Sequence, residues 1–311
     1  MKVTAKTRIY IAGCAGMLGD AVYQRFSGIS QVQATDINVS ESWLGHADVR
    51  VYSQLKQSIE EFHPDVIMNL AAITDLERCE REPENTWLTN TLGAENLGLI
   101  ANRVDATYVY ISTAGVFDGR QATYSDFDTP NPLNCYGKSK YYGETFVRQH
   151  VQKHYVIRAG WMMGGGPAKD KKFLNKIYRQ IRDGRRELFA VDDKVGTPTY
   201  TVDFARGLHL LLESEMYGLY NQGGEGLCSR YEVAQEFVRL LGLEDEVAVK
   251  KVDSSFFEKE YFAPRPASEA LVNLKLRARG LNVMRDWRTC LGEYCEVFVR
   301  ELGRARSEKH T

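Results

Sequence analysis

The chain is predicted to fold as an α/β protein with a doubly wound parallel sheet and a smaller C-terminal lobe. Three observations carry this. Short apolar runs alternate with longer amphipathic ones through the first half, a glycine-rich turn follows the first run, and the rhythm changes after about residue 160. The runs Arg8–Ala12, Val32–Thr35, Val66–Leu70, Thr107–Ile111 and Tyr155–Arg158 are short and rich in Val, Ile and Tyr. That composition suits parallel strands covered on both faces. Between them Met17–Phe26, Gln54–Phe62, Glu84–Arg103 and Tyr136–His150 read as helices, and strict alternation is the mark of a doubly wound sheet. His63-Pro64-Asp65 closes one helix and opens the next strand, because proline cannot continue a helix.

Beyond residue 160, Gly164-Gly165-Gly166-Pro167 reads as a loop, Asp170–Arg186 as a basic helix and Gly196-Thr197-Pro198-Thr199 as a further break. Tyr231–Leu241 and Ala267–Arg279 are expected helices, and Gly303–Thr311 a frayed polar tail. The expected division is 1–160 as a dinucleotide-binding domain, to which 195–222 return, and 161–194 with 223–311 as a substrate-binding lobe.

Bulk composition narrows the partners. Apolar residues make up 43% and charged residues 26% of 311 positions, as in ordinary globular proteins. Lys plus Arg total 40 against 41 Asp plus Glu, which argues against nucleic acid as a partner. The six cysteines form no CxxC pair and sit with no histidine cluster, so neither a metal site nor a disulfide framework is expected. No signal-peptide pattern and no long apolar run is present, so a cytoplasmic protein without membrane contact is expected. A homodimer is the expected assembly, two-fold dimers being the commonest.

The first strand runs into Gly13-Cys-Ala15-Gly16-Met17-Leu18-Gly19. Gly13 permits a tight turn, Gly16 lets a pyrophosphate approach the backbone, and Gly19 lets the helix sit close on the strand. The helix that starts here aims its free N–H groups at the phosphates. Asp36, followed by Ile37, ends the second strand, where a carboxylate accepts hydrogen bonds from ribose hydroxyls and repels a 2′-phosphate. The expected cofactor is therefore NADH or NADPH, with NADH favoured. Asp48-Val49 falls where an adenine amino group would be bound, although a plain surface aspartate reads nearly as well.

Tyr136-Gly-Lys-Ser-Lys140 places a phenol and an ammonium four residues apart, on one face of a helix. A tyrosine with a pKa of about 10 exchanges protons poorly at neutral pH, and a neighbouring cation lowers that value. About one such spacing is expected by chance, and Tyr52…Lys56 is a second instance. Position separates them, since Tyr52 lies early, whereas Tyr136 follows the fourth strand and Ser112-Thr113 at its end. Thr113, with Ser112 second, is the candidate to hold the oxygen of a carbonyl undergoing reduction.

With these motifs in place the sequence resembles the dTDP-4-dehydrorhamnose reductase family of extended short-chain dehydrogenases, over most of the chain. The landmarks are Asn69-Leu70-Ala71-Ala72-Ile73-Thr74, Ser112-Thr113 with Val116-Phe117-Asp118-Gly119, Tyr136…Lys140 with Gly143-Glu144, Ile157-Arg158-Ala159-Gly160-Trp161, Gly196-Thr197-Pro198-Thr199 and Arg265-Pro266. The GxxGxxG spacing belongs to the same group. The resemblance implies a Rossmann fold and reduction of the C4 ketone of a nucleotide-linked 4-keto-6-deoxy sugar. Tyr136 would donate the proton, Lys140 support it and Thr113 orient the carbonyl. Leu70, Ala71 and Ala72 would pass beside the cofactor, and Thr74, Val116 and Trp161 would lie near the sugar. Read from the residues alone, Trp161 is equally a core aromatic.

One departure bears on specificity: the family often carries Asp-Tyr where this chain has Ala114-Gly115. The loss of both side chains reshapes the sugar pocket, and it leaves no acid-base pair for a dehydration. Two other readings share the fold: an epimerase that retains its cofactor, and a regulatory subunit like that of methionine adenosyltransferase. The basic residues of 169–186 form either a solvated face or a contact to a substrate pyrophosphate, with Arg158 and Lys172 as candidates.

Overall fold

A computed structural model describes residues 1–308 of the chain, with side chains to residue 300. The chain passes in order through β1 (Arg8–Ala12), α1 (Met17–Ser27), β2 (Gln31–Asp36), β3 (Leu44–His46), α2 (Tyr52–Phe62), β4 (Val66–Asn69), α3 (Leu76–Arg81) and α4 (Pro83–Trp87). A π-helical turn, Leu88–Leu92, then leads into α5 (Gly93–Arg103), β5 (Thr107–Thr113), α6 (Cys135–His150) and β6 (His154–Ala159). Seven strands, with β11 (Gly218–Gln222) at one edge, form a wholly parallel sheet in the order β11-β6-β5-β4-β1-β2-β3. The order reverses between β1 and β4, and in an open α/β sheet that switch point opens a crevice at the carboxyl ends of the strands.

Alternation explains the two faces. Ile9 and Ile11 pack with α1 and with α9 (Thr201–Ser214), while Tyr10 and Ala12 pack with α2 and α5. A second core, built from Met163, Leu174, Ile177, Phe237, Trp287, Leu291 and Phe298, lies outside the sheet. Around it are β7 (Trp161–Met163), α7 (Gly166–Lys169), α8 (Phe173–Arg182), β8 (Glu187–Val191), β9 (Val195–Gly196), β10 (Pro198–Tyr200), β12 (Cys228–Ser229), α10 (Arg230–Leu240), β13 (Ala248–Val252), β14 (Ser268–Glu269) and α12 (Trp287–Glu308), whereas α11 (Leu274–Ala278) packs on β11 and adds Leu276 to the first core.

Several expectations are corrected. Ala267–Arg279 is not one helix. Its first part is extended, with Val195 N donating to Ala267 O (2.9 Å) and Tyr124 N to Ala270 O (2.8 Å), and only Leu274–Ala278 is helical. Lateral pairing outweighs local helix propensity there. Gly196-Thr-Pro-Thr199 is likewise not a plain break, since it supplies strands that pair with β7, β12 and β14. The helix expected over Glu84–Arg103 is interrupted by the π turn, and the basic helix is shortened to Phe173–Arg182. Helices α9 and α12 lie outside the expected set. The latter runs through Gly303 to Glu308, where a frayed tail was expected, and residues 309–311 lie outside the described residues. Among the described residues no helix is long and apolar enough to cross a membrane.

Candidate active site

Strand β1 ends in the glycine turn because nothing larger fits. Gly13 has φ +80°, and a Cβ there would lie 2.3 Å from Ala71 N. A Cβ on Gly19 would lie 2.1 Å from Cys14 O, so α1 is seated directly on the turn. Gly16 differs: a Cβ would meet nothing within 4 Å. It caps α1 without any side-chain hydrogen bond, leaving backbone donors at the helix start facing the cleft. The turn is closed by Gly13 N and Cys14 N donating to Thr35 O (2.8 and 3.0 Å), and by Ala15 N donating to Asp36 Oδ2 (3.0 Å). Asp36 Oδ1 accepts from Asn38 N at 2.9 Å. Open space at Gly16, free helix donors and an adjacent carboxylate fit a dinucleotide.

This turn forms one end of a continuous cleft of about 2170 Å³ between the sheet and the second core. A single drug-sized ligand fills about 300–1,000 Å³, so the cleft has room for two large ligands side by side. Ala15, Met17, Leu18, Ile37, Asp48, Val49, Leu70, Ala71 and Ala72 all line it. The Asp48 carboxylate is gripped by Arg50, with contacts of 2.6 to 3.0 Å that hold it below the usual carboxylate range. The Leu70–Thr74 loop is anchored from below by Asn90, which the π turn presents to it. Asn90 Oδ1 accepts from Ile73 N (2.8 Å), and its amide donates to Ile73 O and Ser139 Oγ (both 3.0 Å). Sequence reasoning missed Asn90, since a π turn has no simple side-chain periodicity.

At the carboxyl end of β5 the structure brings Thr113 and Tyr136 together with Lys140 lining the same cleft. Thr113 Oγ1 accepts from Gly115 N at 3.1 Å, and its hydroxyl lies beside Tyr136, where it favours the ionised phenol. Asn134 caps α6 by accepting from Gly137 N (2.7 Å), which fixes the first turn that carries Tyr136. Contrary to the lowering expected from a neighbouring cation, burial pushes the phenol up to about 12, partly offset by the Thr113 hydroxyl. Lys140 is 3% exposed with Nζ 4.1 Å from the centre of the Tyr110 ring. Burial lowers its pKa to about 7 against the opposing pull of Glu144. The alternative pair separates as position suggested: Tyr52 opens α2, and Lys56 pairs with Glu60 at 4.0 Å.

Other candidates move. Ser112 donates to Glu144 Oε2 (3.0 Å) in the interior, and Arg158 holds the same carboxylate at 2.5 and 3.0 Å. Arg158 is therefore a buried structural cation and not a phosphate contact. Val116 is fully buried with Phe117, Tyr124 and Leu271 beneath the site instead of lining it, because the turn at 114–116 points its side chain inward. Thr74 lies at the rim and accepts from Lys172 Nζ at 2.8 Å. Trp161 lines the cleft, its Nε1 donating to Glu269 Oε2 at 2.7 Å. The guanidinium of Arg230 lies 3.6 Å from its ring centre. Sequence reasoning missed Glu269, hidden in a segment taken for helix. It also missed Arg230, although the capping pair Ser229 and Glu232 marks the helix start there.

With this geometry in place, comparison with known proteins decides the family. The profile of the RmlD substrate binding domain matches residues 7–300. The chain belongs to that family. It is 31% identical over 93% of its length to the spore coat polysaccharide biosynthesis protein SpsK of Bacillus subtilis, covering 97% of that protein. It is 30% identical to the dTDP-4-dehydrorhamnose reductase of Mycolicibacterium smegmatis, over 94% of this chain and 86% of that one. The structure of dTDP-4-dehydrorhamnose reductase from Bacillus anthracis in complex with NADP superposes with a TM-score of 0.85 at 29% identity, covering 93% of this chain and 98% of that one. The RmlD assignment agrees with the parallel sheet, its switch-point crevice and the resemblance drawn from the motifs.

Proposed function

We propose that the chain is a nicotinamide-dependent reductase acting on the C4 ketone of a nucleotide-linked 4-keto-6-deoxy sugar. The observation that carries this reading is the Thr113–Tyr136 hydroxyl pair beside Lys140, in a cleft that begins at an open glycine turn. Reduced nicotinamide supplies hydride. The chain's own groups do the rest. Thr113 and Tyr136 hold the carbonyl oxygen, Tyr136 gives its proton to that oxygen as negative charge develops, and Lys140 stabilises the phenolate left behind. A phenol held near 12 is fully protonated at neutral pH, the state a proton donor requires. Residues 1–160 with 195–222 would hold the cofactor, and 161–194 with 223–311 the sugar nucleotide. Relatives named as reductases favour reduction over epimerisation or a purely regulatory role. The direct test is substrate-dependent oxidation of NADH or NADPH by purified protein with dTDP-4-keto-6-deoxy sugars, followed by ultraviolet absorbance. Absence of oxidation with either cofactor would overturn the reading.

Asp36 supports NADH over NADPH, since its carboxylate would face a 2′-phosphate. Asp36→Asn removes the charge, and its one amide oxygen keeps one of the two bonds from the Ala15 and Asn38 amides. The expected outcome is a rise of about tenfold in the NADPH to NADH ratio of kcat/KM, one charge repulsion corresponding to about 1.4 kcal/mol.

Lys140 gives a pH dependence with a definite sign. Its ammonium is present below about 7 and lost as pH rises through that value, while Tyr136 stays protonated. The kcat/KM for ketone reduction, which reports the free enzyme, should therefore fall on the alkaline side with a midpoint near 7. Lys140→Arg, whose guanidinium does not titrate in this range, should move that limb to higher pH.

A further inference from the structure

The wall opposite Tyr136 carries a carboxylate for which the reaction proposed above has no use. Glu269 sits on β14, whose pairing with β9 places it across from Gly196. Gly196 leaves room for the Trp161 ring, since a Cβ there would lie 2.3 Å from that ring. Trp161 Nε1 in turn holds Glu269 Oε2 at 2.7 Å. The carboxylate is thus fixed through one oxygen. The other, Oε1, carries no hydrogen bond among the described residues, and it lies 3.4 Å from the point where a Gly115 Cβ would stand. Thr113 Oγ1 is 3.4 Å from the same point, and the Tyr136 ring edge 3.6 Å. Where the family often carries a tyrosine side chain, this chain has a gap at Gly115 with an anionic oxygen at its edge.

We propose that Glu269 is a specificity-determining residue, accepting through Oε1 a hydrogen bond from a hydroxyl or amino group on the sugar carbon next to the ketone. The inference rests on the function proposed above and extends it. A carbonyl oxygen held by Thr113 and Tyr136 leaves the two flanking ring carbons beside the Gly115 gap. In a 4-keto-6-deoxyhexose one flanking carbon bears the methyl group and the ring oxygen, so C3 alone carries a donor. A carboxylate is an acceptor only, so it selects a donor there, and an analogue without one leaves Oε1 facing the sugar unpaired.

The test compares kcat/KM for three nucleotide-linked 4-keto-6-deoxy sugars bearing hydroxyl, amino or hydrogen at C3, with wild type, Glu269→Ala and Glu269→Gln. The expected result is that wild type prefers one or both donor-bearing sugars over the C3-deoxy sugar by about tenfold to a hundredfold. In Glu269→Ala that preference collapses, the loss falling on the donor-bearing sugars far more than on the C3-deoxy sugar, and an unchanged cofactor titration shows that the variant is folded. Glu269→Gln keeps an oxygen for Trp161 and is expected to lose most of any amino preference while retaining part of any hydroxyl preference. Amino and hydroxyl recognition are told apart by which sugar wild type prefers. Equal use of all three sugars by wild type would overturn the inference and leave the reductase standing, as would a Glu269→Ala loss falling equally on all three. Failure of wild type to reduce any of them would overturn the reductase reading and the inference together.

Discussion

Tyr136→Phe is expected to lower kcat/KM for ketone reduction by about 10²–10⁴, the range for loss of a positioned proton donor. The change removes one oxygen and leaves the ring in place. The substituted ring would still rest beside Gly115, and the α6 cap at Asn134 would be untouched. Cofactor binding, measured by fluorescence titration, should therefore change little, and thermal stability should hold. Thr113 loses a polar neighbour, but its Oγ1 keeps the bond from Gly115 N. A variant that kept most of its activity would remove Tyr136 from the role of proton donor.

The largest stability effect is expected from Glu144→Ala. Glu144 and Arg158 have side chains only 0% and 1% exposed, joined by contacts of 2.5 and 3.0 Å, and Ser112 donates to the same carboxylate. Removing the acid strands a buried guanidinium, which costs about 3–5 kcal/mol. The check is the shift of the urea midpoint at constant slope. Adding Arg158→Leu should recover much of the loss, because a buried cation without a partner costs more than an apolar pair of similar volume. The single change also removes the negative charge that supports the Lys140 ammonium, so the Lys140 pKa should fall further below its already lowered value.

Which parts of this molecule could be read in advance follows from how local their causes are. The turn from β1 into α1 is dictated within twelve residues, because Gly13 adopts φ +80° and a side chain on Gly19 would strike Cys14. Tyr136 and Lys140 are set by one helical turn. Glu269 could not be read, because Ser268–Glu269 is extended only through partners about seventy residues earlier in the chain, at Val195 and Gly196. Arg158 was misjudged for a similar reason. A cation near a basic segment resembles a phosphate ligand until the burial of Glu144, fourteen residues away, is known. Val116 shows the limit of resemblance: a position can follow the family's pattern while its side chain turns into the core.

The π turn at Leu88–Leu92 has an evolutionary corollary. A wide turn of this kind is equivalent to one residue added to an ordinary helix. Deleting a single residue from it would restore regular winding from Pro83 to Arg103 and improve the helix. It would also swing Asn90 round by about 100°. The Ile73 amide and carbonyl would then lose their partner, and the loop that carries Leu70, Ala71 and Ala72 would lose its anchor. The imperfect helix is the form compatible with a firm cleft wall, so random shortening here would yield sturdier but idle descendants. Selection for turnover would keep the extra residue in place.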